Sequence, residues 1–237
     1  MKRKTRLLLT VTLVLVSLCG TTLYVSCTPK TAEGFVKRGY AYEEKGELDM
    51  AIADYTEAIR LNPNNAWTYS SRARIYREKG DLDKSIADYS KAIHGGIYVE
   101  YRKRGDAYYE IGDYNSAIAD YEAYLQISPG SEAVEEKLKK AKYAKESAEF
   151  QQAIAEYTET IRLNPKNADA YFKRGYQYYM KIPDTTNLHD LQKAIISIFI
   201  SRDLDQAIAD FEAAVRINPN HADARKYLEN ARQLRGY

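Results

Sequence analysis

The sequence predicts an all-α protein in which short helix-turn-helix units stack into a solenoid. The first observation is a pentapeptide that recurs as Ala51-Ile-Ala-Asp-Tyr55, Ser85-Ile-Ala-Asp-Tyr89, Ala117-Ile-Ala-Asp-Tyr121, Ala153-Ile-Ala-Glu-Tyr157 and Ala207-Ile-Ala-Asp-Phe211. Its copies start 34, 32, 36 and 54 residues apart. A unit of that size cannot bury its own apolar face, so a near-constant period in the low thirties implies stacking on neighbours. The second observation is a frame upstream of the pentapeptide, made of an aromatic, a basic residue, a small residue and a tyrosine. It reads Phe35, Arg38, Gly39 and Tyr42, then Tyr69, Arg72, Ala73 and Tyr76, then Tyr101, Arg104, Gly105 and Tyr108, and again Tyr171, Arg174, Gly175 and Tyr178. The third is a proline 12 residues after the first pentapeptide residue, at Pro63, Pro129, Pro165 and Pro219.

Each unit follows from these residues. A first helix needs its small residue where the second crosses closely, and the second answers with an Ala51-type position and an aromatic four residues on, on one face. The turn between them carries glycine at Gly46, Gly80 and Gly112. Asn62-Pro63, Asn164-Pro165 and Asn218-Pro219 end second helices, because a residue before proline leaves the helical region. The frame aromatics are core material, each removing roughly 150–250 Å² from water.

This pattern resembles the tetratricopeptide repeat, in which an aromatic, a leucine-glycine pair and a tyrosine precede a small residue, an aromatic and a proline over 34 residues. Arginine stands where leucine is usual, a change that is tolerable if its aliphatic stem covers apolar surface. The resemblance implies a right-handed α-solenoid of helix-turn-helix repeats with a C-terminal capping helix, and a protein-binding rather than catalytic role.

In chain order, residues 1–27 read as a leader, 28–31 as a short linker, and 32–221 as five repeats at about 32–65, 66–97, 98–131, 132–167 and 168–221. The leader opens with the cationic Met1 to Arg6 and continues through the uncharged Leu7 to Val25, long enough to approach the hydrocarbon thickness. Signal peptide and uncleaved anchor are both open. No Ala-x-Ala site follows; Leu23-Tyr-Val-Ser26-Cys27 instead resembles a relaxed bacterial lipobox, with Cys27 as the lipidated residue. Repeat 2 replaces its proline with His94-Gly95-Gly96. The first helix of repeat 4, about Glu132 to Ser147, lacks the frame and matches the chain's last helix: Leu138, Ala141 and Lys142 follow Pro129 at the spacing with which Leu228, Ala231 and Arg232 follow Pro219. A cap-like helix in mid-array, and with it a weak joint after repeat 3, is one reading of this segment, and a merely drifted repeat is the other. Repeat 5 carries an insertion at about 181–202, opened by Lys181-Ile-Pro183-Asp184 and apolar from Leu188 to Ser201. It either packs on the repeats or forms a contact with another chain, including a homo-oligomer through 188–201. Residues 222–237 form the polar cap that terminal repeats require.

Composition narrows the function. Both cysteines lie in the leader, so the repeats can form no disulfide. The formal charge of +2 becomes about −2 without Lys2, Arg3, Lys4 and Arg6, which gives no basic stripe for nucleic acid. His94, His189 and His221 have no metal-ligand spacing. No phosphate-binding loop, dinucleotide fingerprint or nucleophile elbow is present, and the recurring Asp54, Asp88, Asp120 and Asp210 read as solvated or helix-pairing positions. No cofactor and no catalysis are expected.

What remains is the concave groove that the resemblance implies, lined by repeat positions 2, 5, 9 and 12 of each first helix. Carried onto this chain, the candidates are Tyr40, Trp67, Arg74, Arg77, Arg102, Tyr109, Phe172, Tyr176 and Tyr179. Val36 and Tyr40 stand where chaperone-tail binders of the family use lysine and asparagine, so that specialised clamp is not expected. Aromatics interspersed with arginines suit an extended or helical peptide. The expectation is an interaction scaffold of the bacterial cell envelope, facing the periplasm or exterior, or, with an uncleaved leader, an inner-membrane signal anchor. The alternative is a structural subunit of an envelope-assembly complex, of the outer-membrane or secretion and pilus lipoprotein type.

Overall fold

The computed structural model describes residues 30–182 and 190–236, the side chains of 190–200 excepted. The leader, Cys27 and the apolar side chains of the insertion, Ile195 and Ile198 among them, lie outside the described residues. Helices α1 (Ala32–Glu44) and α2 (Leu48–Leu61), α3 (Ala66–Glu78) and α4 (Leu82–His94), and α5 (Tyr101–Glu110) and α6 (Tyr114–Ile127) are antiparallel partners, with a 3-10 turn at Tyr98–Glu100 before α5. After them come α7 (Glu132–Leu163), α8 (Ala168–Met180), α9 (Asp190–Ile217) and α10 (Ala222–Arg235). The chain forms two compact units, Met1–Lys142 and Tyr143–Tyr237. Among the described residues, no helix is long and apolar enough to cross a membrane.

The starts and stops are local. Thr31, Asn65, Asp113 and Asn167 each accept a backbone N–H of the following first turn, which would otherwise be unpaired. Gly46, Gly80 and Gly112 turn the chain at φ of 75°, 80° and 82°, a left-handed conformation that side chains oppose. Helices α2, α7 and α9 stop at Leu61, Leu163 and Ile217, immediately before the Asn-Pro pairs. Gly39 and Gly105 permit the close crossing of the next helix: an added Cβ would stand 3.0 Å from the Tyr55 ring and 2.8 Å from the Tyr121 ring.

One expectation is corrected. Repeat 4 was predicted to hold two helices, but α7 is continuous over 32 residues. The reason is compositional: no glycine or proline occurs between Glu132 and Leu163, and alanine, lysine and glutamate dominate. Repeat 4 therefore lacks the hairpin turn of its neighbours. Likewise α9 runs from the insertion straight into the second helix of repeat 5.

The recurring arginine does more than cover apolar surface. Arg38, Arg72, Arg104 and Arg174 each make two charge-assisted hydrogen bonds, at 2.6–2.9 Å, to the two oxygens of Asp54, Asp88, Asp120 and Asp210. Those pentapeptide carboxylates are helix-pairing groups, almost fully buried. The guanidinium of Arg38 also sits between Phe35 and Tyr42, that of Arg72 between Tyr69 and Tyr76, and that of Arg104 between Tyr101 and Tyr108, with ring centroids 5.5–6.0 Å away. Leucine could supply neither interaction. In repeat 4 no arginine is placed for the role, and Glu156 at the aspartate's position is exposed.

A second periodicity joins successive helices. Arg72, Arg104 and Arg174 donate a further bond, at 2.9–3.0 Å, to Thr56, Ser90 and Thr158, the hydroxyl residues that follow the preceding pentapeptide. At that position Glu122 and Glu212 replace the hydroxyl. Glu122 pairs with Lys142 at 2.9 Å and Glu212 with Arg232 at 2.8 Å. The residue after each pentapeptide thus differs according to whether a frame helix or a cap-like helix follows it. Ala141 and Ala231 are fully buried in equivalent positions, beside Leu138 and Leu228.

Candidate functional site

In the first unit the structure brings Arg74, Arg77 and Arg102 of α3 and α5 together, with Tyr109 beside Arg77, whereas Trp67 lines a separate hollow and Tyr40 stands on α1. Tyr40 and Trp67 are 54% and 67% exposed, and Tyr109 is 37% exposed with its ring edge-on to Tyr114 at 5.4 Å. Arg74 pairs with Glu43. Arg77 donates to Glu110 at 3.0 Å and stands 3.6 Å from Asp106. Burial opposes the charge of Arg77, but Glu110 and then Asp106 hold its pKa above the ordinary arginine value. Arg102 is half-buried and has no ion-pair or hydrogen-bond partner among the described residues. Arg74, Arg77 and Arg102 line a cleft of about 460 Å³ with Glu78, Lys103, Asp106, Glu110 and Tyr89. A smaller hollow of about 260 Å³ adjoins Arg77, Tyr109 and Lys137.

Sequence reasoning missed the polar floor of this wall. The Tyr55 hydroxyl donates to Glu43 at 3.2 Å, and the Tyr121 hydroxyl donates to Asp106 at 2.9 Å. Glu100, nearly fully buried, accepts from Ser70 at 2.8 Å and from Lys103 at 3.0 Å. The Tyr89 hydroxyl is buried and has no hydrogen-bond partner. Burial raises the pKa of all three tyrosines above the ordinary phenol value, and the charges of Glu43, Glu100 and Asp106 raise Tyr55, Tyr89 and Tyr121 further, so each is a donor. Their place in the pentapeptide marked them as core, which hid the hydroxyl's separate need for an acceptor.

The second unit places its wall candidates differently. Phe172, Tyr176 and Tyr179 surround Tyr227 of α10, with centroid distances of 6.0, 5.1 and 5.4 Å. Phe172 also meets His221 at 4.9 Å and Phe211 at 5.9 Å. All three are half-buried against the cluster of Leu204, Phe211 and Leu228. They are therefore half-buried beside the capping helix, because its Tyr227 packs among them.

Comparison with protein families matches a TPR repeat at residues 39–76 and 146–181, a tetratricopeptide repeat at 99–131, and a tetratricopeptide repeat again at 68–93 and 200–221. The chain is built of tetratricopeptide repeats. Their matched stretches take in the Arg72–Asp88, Arg104–Asp120 and Arg174–Asp210 pairs and the Asp54 partner of Arg38. No curated protein matches this tetratricopeptide-repeat chain. Solved structures that it is similar to include YrrB, a TPR protein with an unusual peptide-binding site, at 15% identity over 88% of this chain and 97% of that one, with a TM-score of 0.47. The MamA protein is 20% identical over 81% of this chain and 94% of its own, with a TM-score of 0.48. The TPR2AB domain of yeast Sti1, in a pHSP90 complex, is 20% identical over 84% and 82%, with a TM-score of 0.45.

Proposed function

We propose that this tetratricopeptide-repeat chain is a non-catalytic interaction scaffold that holds a protein or peptide segment along the wall of its first unit. The observation that carries this reading is the exposure of Tyr40, Trp67 and Tyr109 on α1, α3 and α5, together with Arg74, Arg77 and Arg102 around a cleft of about 460 Å³. Aromatics and arginine are typical interface anchors, and Trp67 presents far more apolar surface than a core position would leave in water. The reading is tested by placing a photo-crosslinking residue at position 67, and at exposed Lys91 on α4 as the off-wall control, in the full chain in cells. A discrete adduct from position 67 that is missing from position 91 supports it; equal adducts, or none from 67, count against it.

The membrane tether is part of the same proposal. It rests on Ser26-Cys27 after the uncharged Leu7 to Val25, and it would hold the repeats outside the cytoplasmic membrane of a bacterial cell. A second reading, a structural subunit of an envelope-assembly complex, is favoured by one further observation. Trp67, Tyr98, Val99 and Ile127 are exposed together around a hollow of about 540 Å³ beside the inter-repeat residues Asn65 and Gly95. Stoichiometric co-purification with a membrane complex would support that reading, and its loss on Tyr98→Ala would locate the contact.

A further inference from the structure

The continuous α7 leaves two half-repeats that lack opposite partners. A first helix in this array lies between two second helices: Arg72 of α3 donates to Asp88 on α4 and to Thr56 on α2. The first part of α7 meets the preceding second helix, with Val134 and Ala141 buried beside Ala117 and Tyr121, and Lys142 paired with Glu122. Away from those contacts Lys139, Lys140 and Tyr143 are exposed, Tyr143 at 72%. The second part of α7 serves the following first helix, since Thr158 accepts from Arg174 and Phe150 meets Tyr178 at 5.6 Å. Its pentapeptide face is nevertheless uncovered. Ala153 and Tyr157 are half-buried and Glu156 is exposed, whereas the same positions in the other four repeats are almost fully buried. One part of α7 thus lacks a second helix and the other lacks a first. The two cannot meet within one chain, because they are stretches of one unbroken helix. Ala148 stands five residues before the pentapeptide, where Gly46, Gly80 and Gly112 turn the chain, and alanine resists that left-handed turn.

We propose that a second copy of this chain completes repeat 4, its stretch 132–147 packing antiparallel on Ala153, Glu156 and Tyr157 of the first copy. Two-fold symmetry repeats the contact, so each copy gives one first-helix stretch and receives the other's. The charges agree with this pairing. Lys139 and Glu156 have no ion pair among the described residues, and Lys140 has only an exposed one with Glu136 at 3.5 Å. Lys140 precedes Glu156 by the same 16 residues that separate Arg38, Arg72 and Arg104 from their aspartates. A partner's basic stretch therefore meets the acid that its own chain leaves in water, while Tyr143 and Tyr157 supply apolar area to the contact. Both copies already hold α7 open, so the exchange requires no unfolding. The wall of the first unit takes no part, and the inference goes beyond the scaffold reading.

The test uses two differently tagged full-length chains, one Tyr143→Cys and the other Tyr157→Cys, co-expressed and treated with bismaleimidoethane. The reagent is far shorter than the roughly 21 Å that separate these positions along one helix. An adduct joining the two tags is expected, above the level given by Tyr143→Cys with Lys91→Cys on α4. That control accounts for Cys19 and Cys27, which every copy carries. Adding Lys139→Glu and Lys140→Glu to the first chain should lower the adduct about fivefold, and Glu156→Lys in the second chain should restore it. None of the altered side chains is fully buried, so circular dichroism is expected to stay unchanged. An adduct no stronger than the control, or one that ignores the charge reversals, overturns the proposal. So does an internal link, in place of one between copies, in a chain carrying both cysteines, because repeat 4 would then close on itself. A link from position 157 to a different protein and to no second copy overturns it as well. The crosslink from position 67 would survive each of those results if the scaffold reading is right.

Discussion

The same face of the repeat has opposite fates in the two units. On α3 and α5 of the first unit it stays open, with Trp67 and Tyr109 exposed and Arg102 facing a cleft. On α8 of the second unit Phe172, Tyr176 and Tyr179 close around Tyr227 of the last helix. Both units share the arginine–aspartate frame, so the frame does not decide the difference. What decides it is the neighbour. An aromatic at a groove position is half-buried when the next helix brings an aromatic to it, and stays exposed when no described helix does.

The shared frame gives the largest expected effect. Asp120→Ala in the first unit and Asp210→Ala in the second should each lower stability by about 3 kcal/mol, because a largely buried guanidinium loses its acid. Glu156→Ala, at the same pentapeptide position in repeat 4 but exposed, should change stability by less than about 0.5 kcal/mol. Urea unfolding followed by circular dichroism checks all three. Equal losses would mean that the aspartate acts through helix propensity rather than through its arginine.

The next effect distinguishes the walls themselves. Tyr227→Ala should cost about 2 kcal/mol, since it removes the ring on which Phe172, Tyr176 and Tyr179 converge. Trp67→Ala, although it removes a larger ring, should leave the melting temperature within a degree or two and instead weaken partner binding about thirtyfold. A large stability loss in Trp67→Ala would show that its ring is core after all. Smallest is Glu122→Gln, which breaks only the exposed pair with Lys142 and should cost about 0.5 kcal/mol by chemical denaturation.

Outside this ladder stands the tether. Cys27→Ala is expected to abolish fatty-acid labelling and leave an unprocessed precursor, and unchanged labelling would remove the lipid assignment.

Much of the fold was legible because its signals are local. The Asn-Pro pairs mark helix ends directly, Gly46 and its counterparts mark the hairpin turns, and the pentapeptide alternates small and aromatic residues at helical spacing. The continuous α7 was not legible from the repeat pattern, because the pattern supplies two helices while the breaker between them is simply missing. Arg38 and its counterparts were visible as a departure from leucine, yet their partner lies 16 residues away, or 36 in repeat 5, on another helix. Half of the wall was legible in the same sense: periodicity located Arg74, Arg102 and Tyr176 on one face of their helices. Whether Tyr227 covers that face depends on tertiary packing, which a repeat position cannot encode. The unpartnered hydroxyl of Tyr89 depends on the packing of helices around it, which the repeat register alone does not give.

The central claim, that the first unit's wall is open for a partner and the second unit's wall is filled by its own cap, is tested most directly by hydroxyl-radical footprinting of the full-length chain with and without the crosslinked partner. Tyr40, Trp67 and Tyr109 should be labelled strongly in the free chain and protected in the complex, while Phe172, Tyr176 and Tyr179 are labelled weakly and equally in both. Protection confined to Phe172, Tyr176 and Tyr179, with Tyr40, Trp67 and Tyr109 unchanged, would contradict it.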